Sequence, residues 1–318
     1  MRYPDYPTIR QMGGTIVDLL RLVKSDDKNW GATNPSIGHL PRKGLTVLFR
    51  SSNYIIAPNG QYLPNTPDNK FHSKIWFADL DKSFKVKNLR EIDTSTVEGW
   101  FFDRGLEDPK VFYRDGQIYF SCVTMEKGVT PVARMSYAKL DTKKNCITEF
   151  TKLSGADDQR PEKNWMTPLY EESPNFDWIY GPNATISGQL LTTWMTDNPD
   201  ISALRGNTNL LPWNNGNYIA VMHRTFAEQS TIFDARVFGN KEAYLRNYVH
   251  YFVEFDAHGM IYAVSPGFQF HKPGVEFCGG IVEQGNDFLV SFGREDVSSH
   301  IAIIPKSVVS KSLQPVQY

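Results

Sequence analysis

The stretch "RGLEDPKVFYRDGQIYF", from Arg104 to Phe120, contains two β-strand patterns joined by a tight turn. Asp115-Gly116 is a dipeptide that readily adopts the positive φ angles of a hairpin turn, and β-branched and aromatic residues stand on both sides of it. Glu107, Asp108 and Pro109 come directly before the first strand. The stretch therefore predicts a β-hairpin with two carboxylates at the head of its first strand.

The same pattern recurs along the chain: an apolar strand, a turn rich in Gly, Asn or Asp, and a second strand rich in aromatic and β-branched residues. Five stretches fit it, namely residues 45–62, 109–123, 168–180, 210–223 and 280–293. They lie on average roughly sixty residues apart, which suits a four-stranded blade with its loops. We predict an all-β fold, a five-bladed β-propeller that forms a single domain over residues 1–318. Two stacked β-sandwiches are the alternative.

The N-terminal residues have a different pattern. Between Thr15 and Lys24, apolar residues stand at positions 16, 19, 20 and 23, which is the spacing of one helix face. We therefore predict a short helix within an N-terminal extension, residues 1–30.

Composition narrows the class of protein. The chain has 318 residues, 41% of them hydrophobic, with 34 basic and 35 acidic residues, so it offers no electrostatic footprint for bulk binding to nucleic acid or membranes. No run of eighteen apolar residues occurs and the first residues lack the apolar core of a signal peptide, so we expect a cytoplasmic protein without a membrane span. Cys122, Cys146 and Cys278 stand far apart without a Cys-x-x-Cys pair, which indicates buried thiols rather than disulfides or a zinc site.

Asp108 is the candidate catalytic residue. Pro109 restrains the residue before it to extended geometry, so the Asp108 side chain is expected to have a defined direction. Forming or cleaving a glycosidic bond requires a carboxyl group at the acceptor hydroxyl or at the bridging oxygen, and the neighbouring Glu107 can shift its pKa. The alternative is an aspartate that ends a loop before an edge strand.

Polar residues follow apolar strands at several places. The inner strands of a propeller run along its central channel, so such strand ends from different blades can meet in one pocket, although they could equally be solvated rim residues. The polar residues at such strand ends are Arg50, Asn53, His223 and Asp296. The candidates for binding phosphate or diphosphate are Arg50, Arg134, Lys163, Arg205 and His223. Trp165, beside Lys163 and Asn164, offers an aromatic face for a sugar or base.

Ten motifs carry a resemblance to a known family. They are "NPSI" (34–37), "RSSNY" (50–54), "GLEDPKVF" (105–112), "ARMSYAKLD" (133–141), "EKNWMTPL" (162–169), "RGNTNLLPW" (205–213), "YIAVMH" (218–223), "NYVHYFVEFD" (247–256), "VEFCGGI" (275–281) and "VSFGREDVSSHIA" (290–302). In this order they resemble the five-bladed β-propellers of the β-mannoside phosphorylases of glycoside hydrolase family 130 and the related glycosyltransferases on the same scaffold. The resemblance covers the chain from Asn34 onward.

The resemblance implies roles for particular residues. Asp108 would be the proton-transfer residue, Arg134 and His223 would bind phosphate, and Asp296 would bind the sugar of the first subsite. Other segments look more like the glycosyltransferase branch than the phosphorylases, which adds Lys163, Asn164, Trp165, Arg205, His250 and Glu276 to the expected substrate-binding set. The motifs "NPSI" and "GLEDPKVF" add Asn34 and Glu107.

These observations favour a glycosyltransferase that uses a nucleotide-sugar donor, with Asp108 as general base and a basic cluster around the diphosphate. We expect no obligate metal and no other cofactor, because arginine and lysine can neutralise the leaving group. A β-mannoside or related phosphorylase or hydrolase with Asp108 as general acid is the alternative, and a non-catalytic glycan-binding propeller is the third. The expected partners are a sugar donor and a hydroxyl acceptor. A glycan, a lipid, a protein or a nucleic acid could each supply the acceptor hydroxyl.

Overall fold

The fold consists almost wholly of antiparallel β-sheets. The computed structural model describes residues 5–25, 28–40, 44–57, 61–67, 69–100, 105–125, 132–153, 162–170, 175–181, 184–187, 190–193, 199–229 and 244–317. Within these ranges the sheets have a propeller-like arrangement, and no helix there is both long and apolar enough to cross a membrane.

The last sheet along the chain also contains the first strand. It has the order β1 (Thr15–Asp18), β23 (Ser298–Pro305), β22 (Asp287–Arg294) and β21 (Glu276–Gln284), and helix α2 (Lys306–Ser312) follows β23. The first sheet has the order β2 (Leu22–Ser25), β3 (Lys28–Leu40), β4 (Gly44–Ser52), β7 (Ser73–Leu80) and β8 (Val86–Glu91). A separate hairpin, β5 (Tyr54–Ile56) and β6 (Tyr62–Pro64), stands between β4 and β7 in sequence.

The second sheet contains the hairpin with which the sequence analysis began. It follows a 3-10 helix (Ser95–Trp100) and comprises β9 (Glu107–Arg114), β10 (Gln117–Met125), β11 (Ala133–Asp141) and β12 (Cys146–Lys152). Asp115 and Gly116 have φ angles of 49° and 69°, as the predicted turn requires. The predicted β9–β10 hairpin is confirmed.

The remaining two sheets follow in sequence. The third comprises β13 (Trp178–Gly181), β14 (Ala184–Ser187) and β15 (Leu190–Thr193). The fourth contains β16 (Arg205–Gly206), β17 (Leu211–Pro212), β18 (Tyr218–Gln229), β19 (Tyr244–Phe255), β20 (Ile261–Val264) and β24 (Gln314–Pro315), with helix α1 (Pro199–Ser202) before it and a 3-10 helix (Asn214–Gly216) between β17 and β18.

The predicted propeller is confirmed, but the described residues form four blades rather than the predicted five. Four sheets of the described chain have four or more strands, and the third sheet has three. The segment that precedes it, residues 166–169, bonds to β13 only at Met166 and Ile179, with N···O distances of 3.1 and 2.7 Å. Its Leu169 pairs instead with Tyr113 and Leu210 of the neighbouring sheets. The segment therefore links three sheets rather than completing one of them.

Among the five predicted strand-turn-strand stretches, 109–123, 210–223 and 280–293 form hairpins between neighbouring strands. Residues 45–62 instead contain β4 and part of the separate β5–β6 hairpin. The turn residues 58–60 and 171–174 of the other two stretches lie outside the described residues.

The predicted N-terminal helix is also wrong, because residues 15–25 form β1 and β2. β1 pairs with β23 from Thr15 opposite Ile303 to Asp18 opposite His300, and the Leu19 N–H donates to the Ser299 carbonyl at 2.9 Å. Tertiary pairing overrides the helical spacing because the β-branched residues at positions 15–17 suit a strand and the C-terminal sheet offers them an open edge. The pairing closes the ring of sheets.

The inner strands pack closely and are irregular near one another. A Cβ atom on Gly280 of β21 would lie 2.6 Å from the Ile37 nitrogen of β3, so glycine is needed where these backbones meet. The pairing register shifts between Thr33 and Ser36, between Ser121 and Val123 opposite β9, and between Cys278 and Gly280. Such bulges redirect side chains, and all three lie beside the cavity described below. Of the free thiols, Cys122 and Cys278 are buried as predicted, and Cys146 is half-buried.

Candidate active site

A cavity of about 410 Å³ lies where four of the sheets and the β5–β6 hairpin meet. Seven predicted site residues and Asp108 line it: Asn34, Arg50, Glu107, Asp108, Lys163, Asn164, His223 and Asp296. The strand-end pattern therefore identified residues that the fold brings together. Tyr54, Tyr62, Phe71, Arg246, Tyr248, Val275 and Phe277 complete the lining.

Asp108 is held by two donors. Its Oδ1 atom accepts a hydrogen bond from Asn34 Nδ2 at 2.7 Å and one from Arg50 Nη1 at 3.0 Å. Its side chain is 13% exposed, so it reaches the cavity while most of it is covered by protein. Asp108 thus has a fixed carboxylate orientation and access to a ligand.

The backbone of Asp108 differs from the extended geometry predicted by its position before proline. Its φ angle is 50°, in the left-handed region, and Asn34, which also precedes a proline, has a φ of 44°. The cavity residues Asn164 and Asp296 have φ angles of 67° and 53°. Asn and Asp tolerate this region better than other residues with a side chain, and strained backbone of this kind is concentrated at functional sites. The Arg50 and Asn34 contacts outweigh the local preference at Asp108.

Arg50 joins the two adjacent carboxylates. Its Nη2 atom lies 3.1 Å from Glu107 Oε1, its Nη1 atom 3.0 Å from Asp108 Oδ1, and its Nε donates to Ser73 Oγ at 3.0 Å. Lys163 Nζ lies 3.6 Å from the other Glu107 oxygen. The planar guanidinium therefore fixes both carboxylates in one arrangement, as a fork of donors does well.

Asp108 and Asp296 differ in their tendency to ionise. Burial raises the pKa of Asp108, but Arg50, Lys163 and the two hydrogen bonds outweigh it and leave the pKa below its ordinary value. Burial raises the pKa of Asp296 more than Arg50 lowers it, and the Tyr54 hydroxyl donates to its Oδ2 at 3.0 Å. Two carboxyl groups whose pKa values are pushed apart can serve as base and as proton-bearing group.

Aromatic rings form two walls of the cavity. Tyr54 contacts Tyr62 and Phe71 with ring centroids 5.2 and 5.5 Å away, and Tyr248 stacks on His223 at 4.8 Å. Aromatic faces beside polar groups suit sugar rings. Sequence reasoning missed these aromatic residues as site residues, although Tyr54 ends the "RSSNY" motif and Tyr248 belongs to "NYVHYFVEFD".

Six predicted site residues lie outside the cavity lining. Asn53 binds its own loop, donating to Thr66 Oγ1 at 2.9 Å and to the Lys70 carbonyl at 2.7 Å. Trp165 is 1% exposed and packs on Trp178 with centroids 6.4 Å apart, so its indole presents no face to the cavity. Glu276 accepts backbone N–H groups, including that of Phe270 at 2.8 Å.

The other three are Arg134, Arg205 and His250. Arg134 is buried in β11 opposite Thr124, and Arg205 is exposed, donating to the Leu204 carbonyl at 3.1 Å. His250 is buried behind His223, with ring centroids 6.4 Å apart. A substrate contact for these three requires a ligand that reaches beyond the described cavity.

The residues described here provide no evident metal site. No group of three or more His, Cys, Asp or Glu side chains among them could hold an ion. The sequence does contain one Asp-x-Asp pattern, Asp79-Leu80-Asp81, but neither carboxylate lines the cavity. Asp79 accepts from Asn88 Nδ2 at 2.9 Å and Asp81 accepts from the Ser83 backbone at 2.9 Å.

Several solved structures share this fold. β-1,2-Mannobiose phosphorylase from Listeria innocua matches with a TM-score of 0.60 and 11% sequence identity over 91% of this chain and 94% of that one. A structure from the GH130 family of mannoside phosphorylases, which contains glycoside hydrolases that target β-1,2-mannosidic linkages in Candida mannan, matches with a TM-score of 0.57 and 13% identity over 99% and 97%. MPT-1, a GDP-Man-dependent mannosyltransferase from Leishmania mexicana, matches with a TM-score of 0.55 and 10% identity over 91% and 89%.

No family model and no curated protein matches the sequence. The resemblance predicted from the ten motifs is thus confirmed at the level of the fold, which this chain has in common with GH130 β-mannoside phosphorylases and a related mannosyltransferase.

Proposed function

We propose that this protein is a carbohydrate-active enzyme that transfers a glycosyl group from a nucleotide sugar to an acceptor hydroxyl. Asp108 acts as the general base. The observation that carries the proposal is the ion pair between Arg50 and Asp108, because it keeps a carboxylate ionised in the wall of the cavity. A base must be unprotonated before it can take the proton of the attacking hydroxyl.

The reaction requires a second set of charges for the leaving diphosphate. Lys163, whose side chain is 43% exposed, and Arg246 both line the cavity, and either can donate to phosphoryl oxygens. Burial and the neighbouring His250 and Lys110 lower the pKa of His223, so this histidine offers neutral hydrogen bonding rather than the positive charge expected of a basic cluster.

The aromatic walls of the cavity and Asp296 form the surface that binds the sugar. The lowered pKa of Asp108 and the raised pKa of Asp296 make Asp108 the more readily ionised of the two carboxyl groups, and an ionised carboxylate can accept a proton. The assignment of Asp108 to the acceptor hydroxyl and of Asp296 to the sugar follows from this difference.

Phosphorolysis or hydrolysis of a β-mannoside is the second candidate, and the likeness to phosphorylases favours it. In that reaction Asp108 would be the general acid, and substrate binding would have to raise its pKa above its value beside Arg50. A mannosyltransferase with the same fold supports transfer as the first choice. We also propose one domain over residues 1–318, a cytoplasmic location and no obligate metal.

The test is product analysis with Asp108→Asn, a nearly isosteric change that removes the base. The wild type is incubated with a panel of sugar nucleotides and acceptors, and separately with oligosaccharides and phosphate. We expect nucleoside diphosphate release by the wild type and a rate lower by roughly two to four powers of ten in the variant. Asp115→Asn, in the exposed turn of the same hairpin, is the matched control and should keep full activity.

Release of a sugar 1-phosphate, with no nucleoside diphosphate, would replace transfer by phosphorolysis. Glycan binding without either product would support the non-catalytic alternative. Full turnover by a folded Asp108→Asn variant would remove Asp108 from the mechanism.

A further inference from the structure

Lys110 is a buried amine close to the candidate site. It lies on β9 two residues after Asp108, and its side chain is 1% exposed. Its Nζ atom donates a hydrogen bond to the Trp165 carbonyl at 3.0 Å. This bond joins the strand that carries Asp108 to the segment that contributes Lys163 and Asn164 to the cavity.

Stability does not account for an amine at this position. Within the described part of the chain, Nζ has that one hydrogen bond and no carboxylate within the 4.0 Å of an ion pair. A buried ammonium with a single acceptor is costly, and an apolar side chain of similar length would avoid the cost. Buried groups of this kind are found where a function needs them.

Among the described residues, three titratable groups on the elements around Lys110 interact electrostatically with its amine. They are Asp108 on its own strand, Cys278 on β21 and His223 on β18. Burial lowers the pKa of Lys110 to about 7, against the opposing effects of Asp108 and Cys278. Burial also raises the pKa of the Cys278 thiol and lowers that of His223, so both are neutral near pH 7. Asp108 is then the one anion among these neighbours.

We propose that Lys110 is a positioning residue for the glycosyl-transfer reaction: anchored on the Trp165 carbonyl, it places a buried positive charge that favours the carboxylate form of Asp108. This role rests on the proposed function of Asp108 as a general base. The interaction is reciprocal: because the Asp108 carboxylate stabilises the ammonium form of Lys110, that ammonium must stabilise the carboxylate form of Asp108 by the same free energy. Lys110 acts through Asp108 and needs no contact with substrate.

The test compares Lys110→Gln, which can keep a donor for the Trp165 carbonyl without the charge, with Lys110→Met, which keeps neither. Lys139→Met removes a partly exposed lysine of the same sheet and serves as control. We expect the acidic limb of the kcat profile to move to higher pH by roughly 0.5 to 1 unit in both Lys110 variants, with KM little changed. That shift corresponds to a roughly three- to tenfold loss of kcat on the acid side, and the loss should vanish at higher pH, where Asp108 is ionised in the wild type and in both variants.

A second readout does not depend on turnover. A double-mutant cycle of unfolding free energies between Lys110→Gln and Asp108→Asn should give coupling at pH 5.5 that disappears by pH 8.5, because Lys110 loses its proton between these values. A merely structural tie would give the same coupling at both pH values. This cycle remains decisive should Lys110→Met fail to fold.

Failure of this inference and failure of the proposed function give different results. A wild type that releases no nucleoside diphosphate refutes transfer, while the unfolding cycle still reports on Lys110 and Asp108. Unmoved pH profiles in both variants, or pH-independent coupling, would overturn the role of Lys110 even if transfer is demonstrated.

Discussion

The ion pair of Arg50 can be tested by replacing this arginine with methionine, which fills much of the same volume without charge. The change removes the bonds to Asp108 Oδ1 at 3.0 Å, Glu107 Oε1 at 3.1 Å and Ser73 Oγ at 3.0 Å. Two carboxylates that are 13% and 12% exposed then lose their principal cation, although Lys163 stays 3.6 Å from Glu107. The uncompensated charge is thus mainly that of Asp108.

The expected loss of unfolding free energy at pH 7 is about 3–5 kcal/mol, the usual cost of breaking a buried pair by removing one partner. Residual pairing of Glu107 with Lys163 favours the lower end of this range. Arg50 lowers the pKa of Asp108 in the folded protein, so its stabilisation is present above the unfolded pKa of roughly 4 and is lost as pH falls through the folded pKa. Without Arg50, burial raises that pKa and Asp108 can protonate. The difference between the two proteins should therefore narrow between pH 7 and pH 4.

Urea unfolding followed by tryptophan fluorescence at pH 7.0 and 4.5 measures both effects. The same substitution in an Asp108→Asn background should cost less, because the carboxylate that needs Arg50 is absent. Equal stability of Arg50→Met and wild type at pH 7 would refute the reasoning. So would a loss that is the same at both pH values, since the ion pair could not then be its source.

Two further substitutions test the binding surfaces of the cavity. Asp296→Ala should weaken sugar binding more than it lowers stability, because Asp296 lines the cavity and, among the described residues, its side chain bonds only Tyr54. Calorimetry that shows unchanged donor and acceptor affinity would contradict this. Lys163→Ala should weaken nucleoside diphosphate binding by roughly 1–3 kcal/mol, the range for a charge-assisted hydrogen bond. In the wild type, inorganic phosphate should bind far more weakly than the nucleoside diphosphate. Thermal-shift titrations in which phosphate stabilises the protein and no nucleoside diphosphate does so would count against transfer.

Local chemistry made part of this structure predictable. The Asp115-Gly116 turn was found because two residues determine it, and the cavity residues Arg50 and His223 were found because polar side chains follow apolar strands. The alternation of polar and apolar residues along a strand also indicates which side chains are buried, but it does not indicate which sheets pack together. Tyr62 and Arg246, which are far apart in the sequence, lie at one cavity only because the ring of sheets brings them there.

Non-local contacts explain why several predictions from the sequence were wrong. The spacing in residues 15–24 fits a helix, and only the partner strand β23 makes it extended. Pro109 favours an extended Asp108, and only Arg50 and Asn34 stabilise the left-handed backbone. The indole of Trp165 stood beside candidate ligands in sequence, yet Trp178, from another part of the chain, buries it. Each error was a local preference overridden by a partner that the sequence does not identify.

The pairing of β1 with β23 has a consequence for how the protein is made. Thr15 leaves the ribosome long before its partner Ile303, so the edge of the last sheet and the strand that covers it coexist only after β23 has been synthesised. Until then the nascent chain carries an unpaired N-terminal strand, which is a template for pairing with other chains. Contacts between residues so distant in sequence also form slowly, because a large loop must close first. Ring closure thus makes the finished propeller the product of a late, long-range step in folding.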